Sequence, residues 1–543
     1  MRSGEEHAAR GGADGTGPAD PADPADPGGP GGPGRRRVLR VAASGLVVVA
    51  SAGCGGSPHR ARPTPPAPDP GAYRLTGHAA PKGTDDWRLG PIGPPHAIEG
   101  YADRVSVLPG ETFGLHVSTT ARAFRVSAFR VGWYDGKQAA LVWASHTVAG
   151  RRQGPYSTAL DTRMIHAGWD RSLEIAADGW PAGAYLLRLE ADSGHQRYVP
   201  LVVRSTSAHG RTLLMHAPAT WQAYNDWGGN CLYYGADGSY ARRAYEVSFE
   251  RPYAKSGAEK FLVYERAAVV LAERSGIPLA YTTGMDVHRD PSVLKGATTA
   301  VALGHDEYWT PEQRQHVTAA RDAGTNLAFL GANTCFRRVR LAATTATAPP
   351  PVVCYKTDFY ADPYLADHPH MATTDFRSGP GADPESSLTG VLYEGFPTDA
   401  PYVVENPDHW AFRGTGVRRG ESFAHLVGVE YDRVTPGSPM PRSIEVVAHS
   451  PLVCHGKHSH SDSAYYTVPS GAGVFSTGTM RWVEGLMAGT GLDGRDHKMD
   501  ARTRGFVTKV TENVLTGFAE GPAVRHQPAP RENVASLYGG GRA

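Results

Sequence analysis

The stretch that decides the fold is GHDEYW, at residues 304–309. The apolar run before it, at 298–303, predicts a buried strand. The residues after it, TPEQ at 310–313, predict a helix start, with Thr at the N-cap, Pro at the first helical position and Gln three residues beyond the cap. We expect that helix to end near Ala323, just before a glycine. A second apolar run, at 326–330, predicts the next strand.

Polar side chains follow each of these strands. A strand, a helix and a strand at this spacing form a βαβ unit, whose two strands are parallel. His305 and Glu307 follow the first strand, and Asn333 follows the second. Tyr224 lies beyond a further strand predicted at 212–216. Because open α/β sheets bind ligands at the carboxyl ends of their strands, we expect these side chains to line one crevice.

The overall composition excludes few functions. The chain has 543 residues, and its 55 basic and 54 acidic side chains give a formal net charge of +1. This balance gives no support for binding nucleic acid or an anionic membrane surface. The length predicts two or three domains.

Residues 1–72 are predicted to be an unfolded leader and tether, since their Pro, Gly, Ala and Asp repeats cannot bury apolar surface. Three arginines at 35–37 precede a short apolar segment at 41–50, a pattern typical of twin-arginine export signals. Cys54 follows in a context that resembles a bacterial lipoprotein cleavage site, although Ser51 stands where Leu or Val is usual. We therefore expect an exported protein, either a cell-surface lipoprotein anchored through Cys54 or a secreted one.

Four cysteines remain after Cys54, and an even number in an exported chain predicts two disulfides. Cys335 and Cys354 flank one loop and are the expected pair, which leaves Cys231 with Cys454. A thiolate metal site is less favoured because the chain has no Cys-x-x-Cys spacing.

The remaining chain is predicted to contain two folded domains. Short alternating runs between turn signals predict a β-sandwich at 73–205, and Trp-Pro-Ala-Gly at 180–183 precedes a strand as in Ig-like modules. An α/β domain follows at 206–520, with a loop-rich insertion at about 339–441 of the kind that carries binding loops. The tail at 521–543 is predicted to be disordered.

Within the α/β domain, the pattern predicts one strand at 243–249 and one helix from 259 to 275. The histidines 455, 458 and 460 could suggest a second metal site. Their spacing is not that of a helix or turn that would bring three imidazoles to one metal ion. A solvated loop is therefore favoured over a metal site.

The motifs of several hydrolase classes are missing. The sequence has no Gly-x-Ser-x-Gly elbow, and His-x-Glu lacks the helical spacing of a zinc protease. Carboxylate and tyrosine side chains remain, and such oxygens suit a hard, highly charged ion such as ferric iron. From the residues alone, a structural interpretation is favoured, with Tyr224 and Tyr245 as aromatics at the core edge and Glu307 as an anion at a helix N-terminus.

Six longer strings change this interpretation. Together they resemble the large, catalytic subunit of N,N-dimethylformamidase and its relatives, over roughly residues 211–517. The strings are TWQAYNDWGGNCLYYG at 220–235, RAYEVSFERPY at 243–253, GHDEYW at 304–309, GTNLAFLGANTCF at 324–336, VVCYK at 352–356 and GVFSTGTMRW at 473–482. The resemblance implies a Rossmann-like, glutamine-amidotransferase-like α/β domain with a largely parallel sheet, following the Ig-like sandwich.

The resemblance also implies a mononuclear iron, in the ferric state, held by two tyrosines and one glutamate. Glu307 matches the glutamate and Tyr224 matches the first tyrosine. Tyr245 is the expected second tyrosine, with Tyr253 as the alternative.

The resemblance implies three catalytic residues, Glu307, His305 and Asn333. His305 would orient Glu307, and Asn333 would bind the substrate or a water molecule. The implied function is hydrolysis of the C–N bond of a small amide. The alternative is a non-catalytic cell-surface module that binds glycan or peptide. We expect no nucleic-acid partner and no membrane contact other than a lipid at Cys54, and the sequence leaves homo-oligomerisation open.

Overall fold

The computed structural model describes residues 69–75, 81–343, 349–488 and 497–539, and it shows a mixed α/β protein with several sheets. The predicted export signal and Cys54 lie outside the described residues. Within those ranges, no helix combines the length and the apolar character that crossing a bilayer requires.

Strands β1–β12 build the first part of the described chain. Their bounds, in order, are Tyr73–Arg74, Ile98–Ala102, Ser106–Val107, Thr112–Thr119, Ala123–Val131, Ala139–Ala144, Val148–Ala149, Ser157–Thr158, Ile165–His166, Leu173–Ala176, Gly183–Ala191 and Gln196–Val203. One sheet has the order β1-β6-β5-β11-β12-β3, with β7 paired to β5, and a second has the order β10-β4-β2. Both sheets bury side chains in one shared core, for example Phe113 and Ile175 from the smaller sheet and Leu187 from the larger.

Strands β13–β27 and nine described helices follow. The strands are Thr212–His216, Glu246–Val247, Leu279–Thr283, Thr299–Ala302, Tyr308–Trp309, Asn326–Phe329, Arg337–Arg338, Arg340–Leu341, Val352–Val353, Thr374–Asp375, Leu392–Val403, Ser422–Arg433, Glu445–Cys454, Lys457–Thr467 and Gly473–Ser476. The helices α1–α9 are Pro218–Ala223, Glu259–Tyr264, Arg266–Arg274, Gly284–Arg289, Pro311–Asp322, Ser386–Thr389, Trp482–Gly485, Ala501–Ala519 and Val534–Tyr538.

The main sheet of this second part has the order β15-β13-β16-β18-β27-β26-β25. Its first five strands are parallel, and β26 and β25 are antiparallel. The predicted βαβ unit is confirmed as β16, α5 and β18, and the backbone N–H of Gln313 donates to the N-cap hydroxyl of Thr310 at 3.1 Å. The carboxyl ends of β13, β16 and β18 therefore lie at one edge of the sheet.

Two local predictions were wrong. The helix expected from 259 to 275 is two helices, α2 and α3, with a break at Glu265. The carboxylate of Glu265 accepts hydrogen bonds from the backbone N–H of Ala217 at 3.2 Å and the indole N–H of Trp221 at 2.7 Å. The strand expected at 243–249 is reduced to the two-residue β14.

The predicted loop-rich insertion and the predicted disordered tail both contain regular structure. Within 339–441, β23 and β24 are each twelve residues long and pair with each other antiparallel. The segment after 521 forms α9, and Asn533 fastens it to β25. The Asn533 side chain donates to the Val446 carbonyl at 2.9 Å and accepts from the Val446 N–H at 2.8 Å, so this segment packs as an ordered element.

The predicted disulfides are wrong, because the four described cysteines are buried free thiols. They belong to three separate hydrophobic clusters: Cys335 lies in one, Cys231 and Cys354 in a second, and Cys454 in a third. Arg314 donates to the Cys335 sulfur at 3.2 Å, which gives that thiol a polar partner of its own.

Candidate metal centre

Three oxygen atoms meet at the edge of the main sheet. The Tyr224 hydroxyl donates to one carboxylate oxygen of Glu307 at 2.6 Å, and the Tyr233 hydroxyl donates to the same oxygen at 2.8 Å. The two phenolic oxygens lie 2.6 Å from each other. The three atoms thus form a nearly equilateral triangle, here called the oxygen triangle. Glu307 is 1% exposed and Tyr233 is 4% exposed.

Two glycines allow the loops that build this site to approach closely. Gly304 adopts φ of +153°, and a Cβ there would lie 2.2 Å from the Tyr264 carbonyl oxygen. A Cβ on Gly331 would lie 2.4 Å from the Gly304 carbonyl oxygen. Because neither position leaves room for a side chain, the loops after β16 and β18 pack backbone against backbone. This contact brings the segment that carries Asn333 beside the one that carries Glu307.

His305 and Tyr308 surround the oxygen triangle with further polar groups. The Nε2 atom of His305 lies 3.0 Å from the Tyr224 oxygen and 3.6 Å from Glu307 Oε2. The Tyr308 hydroxyl donates to the Tyr233 oxygen at 2.9 Å. Each phenolic oxygen of the triangle therefore has a neighbour that fixes its orientation.

Cationic side chains cover the same groups. The Nζ of Lys356 lies 3.3 Å from the centre of the Tyr233 ring, and that of Lys260 lies 3.9 Å from the centre of the Tyr224 ring. Arg337 Nε lies 3.4 Å from Glu307 Oε1. An amine nitrogen placed over a phenol ring is held there by the ring quadrupole when it is protonated.

Burial controls the protonation of the cluster. It raises the pKa of Glu307 above its usual value, although Lys356 and the two phenolic hydrogen bonds act in the opposite direction. It also raises the pKa of Tyr233 far above that of a free phenol, with the Glu307 charge adding to the effect. Burial, and then the neighbouring Arg337, lowers the pKa of Lys356 well below that of a free amine. Desolvation outweighs the attraction between Lys356 and Glu307, so the pKa of each group is shifted in the direction that favours its neutral form.

The side chain of Asn333 carries an acceptor oxygen that no described residue uses. Its backbone N–H donates to Asp432 Oδ1 at 2.8 Å, and its side-chain N–H donates to Glu430 Oε2 at 2.7 Å. Its φ of +58° is in the left-handed region that asparagine tolerates. The buried Oδ1 atom has no hydrogen-bond partner among the described residues. That oxygen is available to accept from a substrate N–H or from water.

The structure brings together most of the predicted site residues but leaves Tyr245 elsewhere. The Tyr245 hydroxyl donates to Asp358 at 2.8 Å, and its ring stacks on Tyr355 with centroids 4.6 Å apart. No contact in the described part of the chain joins Tyr245 to Glu307. The alternative, Tyr253, is a partly buried tyrosine that packs against the largest core cluster, and desolvation raises its pKa.

Tyr233 is the site residue that sequence reasoning missed. It lies nine positions after Tyr224, within the string at 220–235 that carries the family resemblance. The consecutive tyrosines at 233 and 234 were the available signal. Lys356, at the end of the string VVCYK, was also within the resemblance, but no pattern in the sequence indicated its role.

Comparison with known proteins identifies the family of the chain. The profile of the family described as "N,N-dimethylformamidase beta subunit-like, C-terminal" matches residues 125–498. The chain belongs to this family. Membership indicates an amidohydrolase-type function.

Other comparisons add little to this dimethylformamidase-like assignment. Among solved structures, Cwp6 from Clostridium difficile matches with 10% identity and a TM-score of 0.14, over 44% of this chain and 37% of that chain. This likeness is too weak to carry an argument, and the match spans little more than a third of that protein. No curated protein matched.

The oxygen triangle of this dimethylformamidase-like chain fits a hard metal ion. The described residues contain no group of three or more His, Cys, Asp or Glu side chains placed to hold a metal, so an ion here would need phenolic ligands. The triangle's edges are 2.6, 2.6 and 2.8 Å. Oxygens on one face of an octahedron lie about 2.8 Å apart when the metal–oxygen bonds are about 2.0 Å. Phenolate and carboxylate oxygens are also the donor type that a hard ion prefers.

Proposed function

We propose that the chain is a metal-dependent amidohydrolase that cleaves the C–N bond of a small amide. One iron ion would be held by Tyr224, Tyr233 and Glu307. The observation that carries the proposal is the oxygen triangle, because three oxygens from two tyrosines and one glutamate converge at the spacing of metal ligands. Family membership supports the reaction class. Tyr233 thereby takes the ligand position that the sequence resemblance had given to Tyr245.

Iron bound there would polarise an amide carbonyl and lower the pKa of a nearby water. The side chains of the site have separate roles around it. His305, 3.0 Å from the Tyr224 oxygen, fixes the direction of that phenol. Asn333 Oδ1 accepts a hydrogen bond from the substrate N–H or from the attacking water, while its bond to Glu430 holds the amide group in place. The side chain of Lys356 covers the Tyr233 ring and keeps bulk water off that face.

We also propose that the protein is exported by the twin-arginine route, as a surface lipoprotein or a secreted protein. The arginines at 35–37, the apolar segment at 41–50 and Cys54 support this proposal. Buried free thiols fit a chain that folds before it leaves the reducing cytosol.

Elemental analysis combined with an amide-hydrolysis assay tests the proposed function. We expect the full chain to contain close to one iron per molecule, and to release ammonia from formamide or acetamide or dimethylamine from N,N-dimethylformamide. Glu307→Gln removes a charged ligand and is expected to abolish both properties. Glu312→Gln, in the first turn of α5 and 41% exposed, removes a nearby glutamate outside the triangle and should change neither.

A folded chain without bound metal and without hydrolysis of any tested amide would refute the proposal. That result would favour the non-catalytic binding module instead. Loss of activity in Glu312→Gln equal to that in Glu307→Gln would show that the triangle is not the centre of the reaction.

A further inference from the structure

A cavity of about 480 Å³ opens beside the oxygen triangle. Arg337 belongs to both, since it lines the cavity and its Nε lies 3.4 Å from Glu307 Oε1. Thr357, another lining residue, directly follows Lys356, which covers the Tyr233 ring. The inner end of the cavity is therefore adjacent to the proposed metal ligands.

The lining of this cavity carries a net positive charge. Four of its side chains are cationic, Arg337, Arg377, Arg433 and Lys457, whereas only two are acidic, Asp375 and Glu394. His455 and His458 also line the cavity, while His460 stacks on His449 with ring centroids 4.1 Å apart. The three clustered histidines are therefore divided between two environments.

The cationic side chains of the cavity differ in how strongly they are already bound to other protein groups. Arg377 donates to Glu385 and, at 2.7 Å, to the Tyr393 carbonyl, so its role is structural. Within the described part of the chain, the only ion pair of Arg433 is a long one, 3.4 Å from its Nε to Glu394 Oε2. Lys457 begins β26 at the exposed turn after β25 and forms no salt bridge within the described residues. Arg433 and Lys457 are thus the cations best placed to meet a ligand.

The remaining wall is largely aromatic, with Phe336, Tyr393, Phe396 and Tyr431. Ligand sites usually combine such an apolar wall with a few convergent polar groups, and 480 Å³ lies within their usual range of about 300–1,000 Å³. The smallest amides would fill little of this space. A substrate that fills it needs an apolar body and an anionic group.

We propose that this cavity binds the carboxylate end of an amide substrate, which makes N-acyl amino acids the substrate class. Arginine and lysine recognise carboxylates through charge-assisted hydrogen bonds, and the planar guanidinium of Arg433 suits a planar carboxylate. The inference about the amide bond depends on the proposed function, whereas carboxylate binding does not. In the reaction, water oxygen joins the acyl carbon as the C–N bond breaks, and the water protons end on the amino acid and the released acid.

Binding is tested with ligands that contain no amide bond and cannot be hydrolysed. Calorimetric titration of the full chain, at constant ionic strength, would compare hydrocinnamate with its neutral analogue hydrocinnamyl alcohol. We expect the carboxylate to bind at least about tenfold more tightly than the alcohol. Arg433→Gln and Lys457→Gln should each remove much of this preference and leave the affinity for the alcohol unchanged.

Arg419→Gln is the matched control, because Arg419 is 70% exposed and pairs with Glu405 outside the cavity lining. If Arg433→Gln fails to fold, Lys457→Gln still tests the proposal, because Lys457 lies at an exposed turn. Equal affinities for acid and alcohol, or a preference that neither cavity variant changes, would overturn the proposal.

Hydrolysis then separates the two proposals. Carboxylate binding without cleavage of N-acetylphenylalanine or of any neutral amide by iron-loaded protein would leave the cavity assignment intact and refute the amidohydrolase. Cleavage of neutral amides without any preference for carboxylates would refute the cavity assignment alone.

Discussion

The phenolic oxygens of Tyr224 and Tyr233 lie 2.6 Å apart while both contact the same carboxylate oxygen of Glu307. If Glu307 is ionised, the two phenols supply only two protons for three short oxygen–oxygen contacts. One pair of oxygens would then face each other without a proton between them, which is unfavourable in a dry site. Either a proton on Glu307 or a shared cation resolves this conflict, and ligand deprotonation on metal binding provides the second solution.

The first prediction concerns the second phenolic ligand. Tyr233→Phe removes one oxygen of the triangle and should reduce bound iron at least tenfold, together with the visible absorbance of an iron–tyrosinate complex. Tyr245→Phe also removes a hydrogen-bonded tyrosine hydroxyl, but that hydroxyl donates to Asp358. This variant should therefore keep its bound iron and its visible absorbance. Elemental analysis and a visible spectrum of each purified variant measure both effects.

The comparison of these two phenylalanine variants also tests the alternative ligand set. Iron lost in Tyr245→Phe but kept in Tyr233→Phe would show that the triangle is only a hydrogen-bonded cluster. Melting temperatures of both variants distinguish loss of metal from loss of fold.

The βαβ unit could be predicted from sequence because every signal for it is local. The cap at Thr310, the proline after it and the apolar runs on either side act over a few residues, and β16, α5 and β18 formed as expected. Glu307 and His305 were found for the same reason, since they directly follow a recognisable strand.

The choice between Tyr233 and Tyr245 depends on contacts that no local pattern encodes. The loop that carries Tyr233 is folded by the buried Arg251, which donates to the carbonyls of Asn225 and Asn230, each at 2.8 Å. These contacts link residues more than twenty positions apart and hold the backbone that leads to Tyr233. The string that contains Tyr233 carried the resemblance, but which of its tyrosines faces Glu307 is a tertiary property.

The second prediction concerns the thiols. Because buried cysteine behaves as a small apolar residue, an even count does not require pairing, and disulfide bonds need Cα atoms within about 7 Å. Alkylation of the unfolded chain without reductant should label all four of Cys231, Cys335, Cys354 and Cys454. Mass spectrometry of the peptides reads the result, and a sample reduced before alkylation is the control. Labelling that appears only after reduction would mean that these thiols are oxidised in the protein.

The third prediction concerns the close contact between the two loops of the site. Gly331→Ala would place a Cβ 2.4 Å from the Gly304 carbonyl oxygen, and backbone atoms on both sides would have to move. We expect a loss of about 2 kcal/mol or more in the free energy of unfolding, and weaker iron binding because Glu307 shifts. Chemical denaturation and elemental analysis measure the two effects.

Gly505 is the control for that substitution. It is exposed within α8, and a Cβ there would meet no atom within 4 Å. Gly505→Ala should therefore stabilise the protein by roughly 0.5–1 kcal/mol through helix propensity. A Gly331→Ala variant as stable as Gly505→Ala would disprove the backbone contact.

The fourth prediction concerns Asp432, whose carboxylate accepts the Asn333 backbone N–H at 2.8 Å. Burial raises the pKa of Asp432 from 3.8 to about 7. Between these two values the unfolded chain has lost the Asp432 proton and the folded protein still holds it. Folding therefore takes up a proton there, and this group makes the folded state less stable as pH rises from about 4 to about 7.

Asp432→Asn removes the titration while keeping a carbonyl oxygen for Asn333. The free energy of unfolding of the variant, relative to the native chain, should rise with pH over this window, by up to about 4 kcal/mol, and level off above pH 7. Urea denaturation at half-unit pH steps measures the difference, with Asp408→Asn, at an exposed position, as the control. A difference between Asp432→Asn and the native chain that stays constant from pH 4 to pH 8 would show that Asp432 titrates alike in the folded and unfolded chain. In that case the carboxylate beside Asn333 would be ionised over most of this pH range, and its negative charge would oppose any anionic group placed at the Asn333 acceptor.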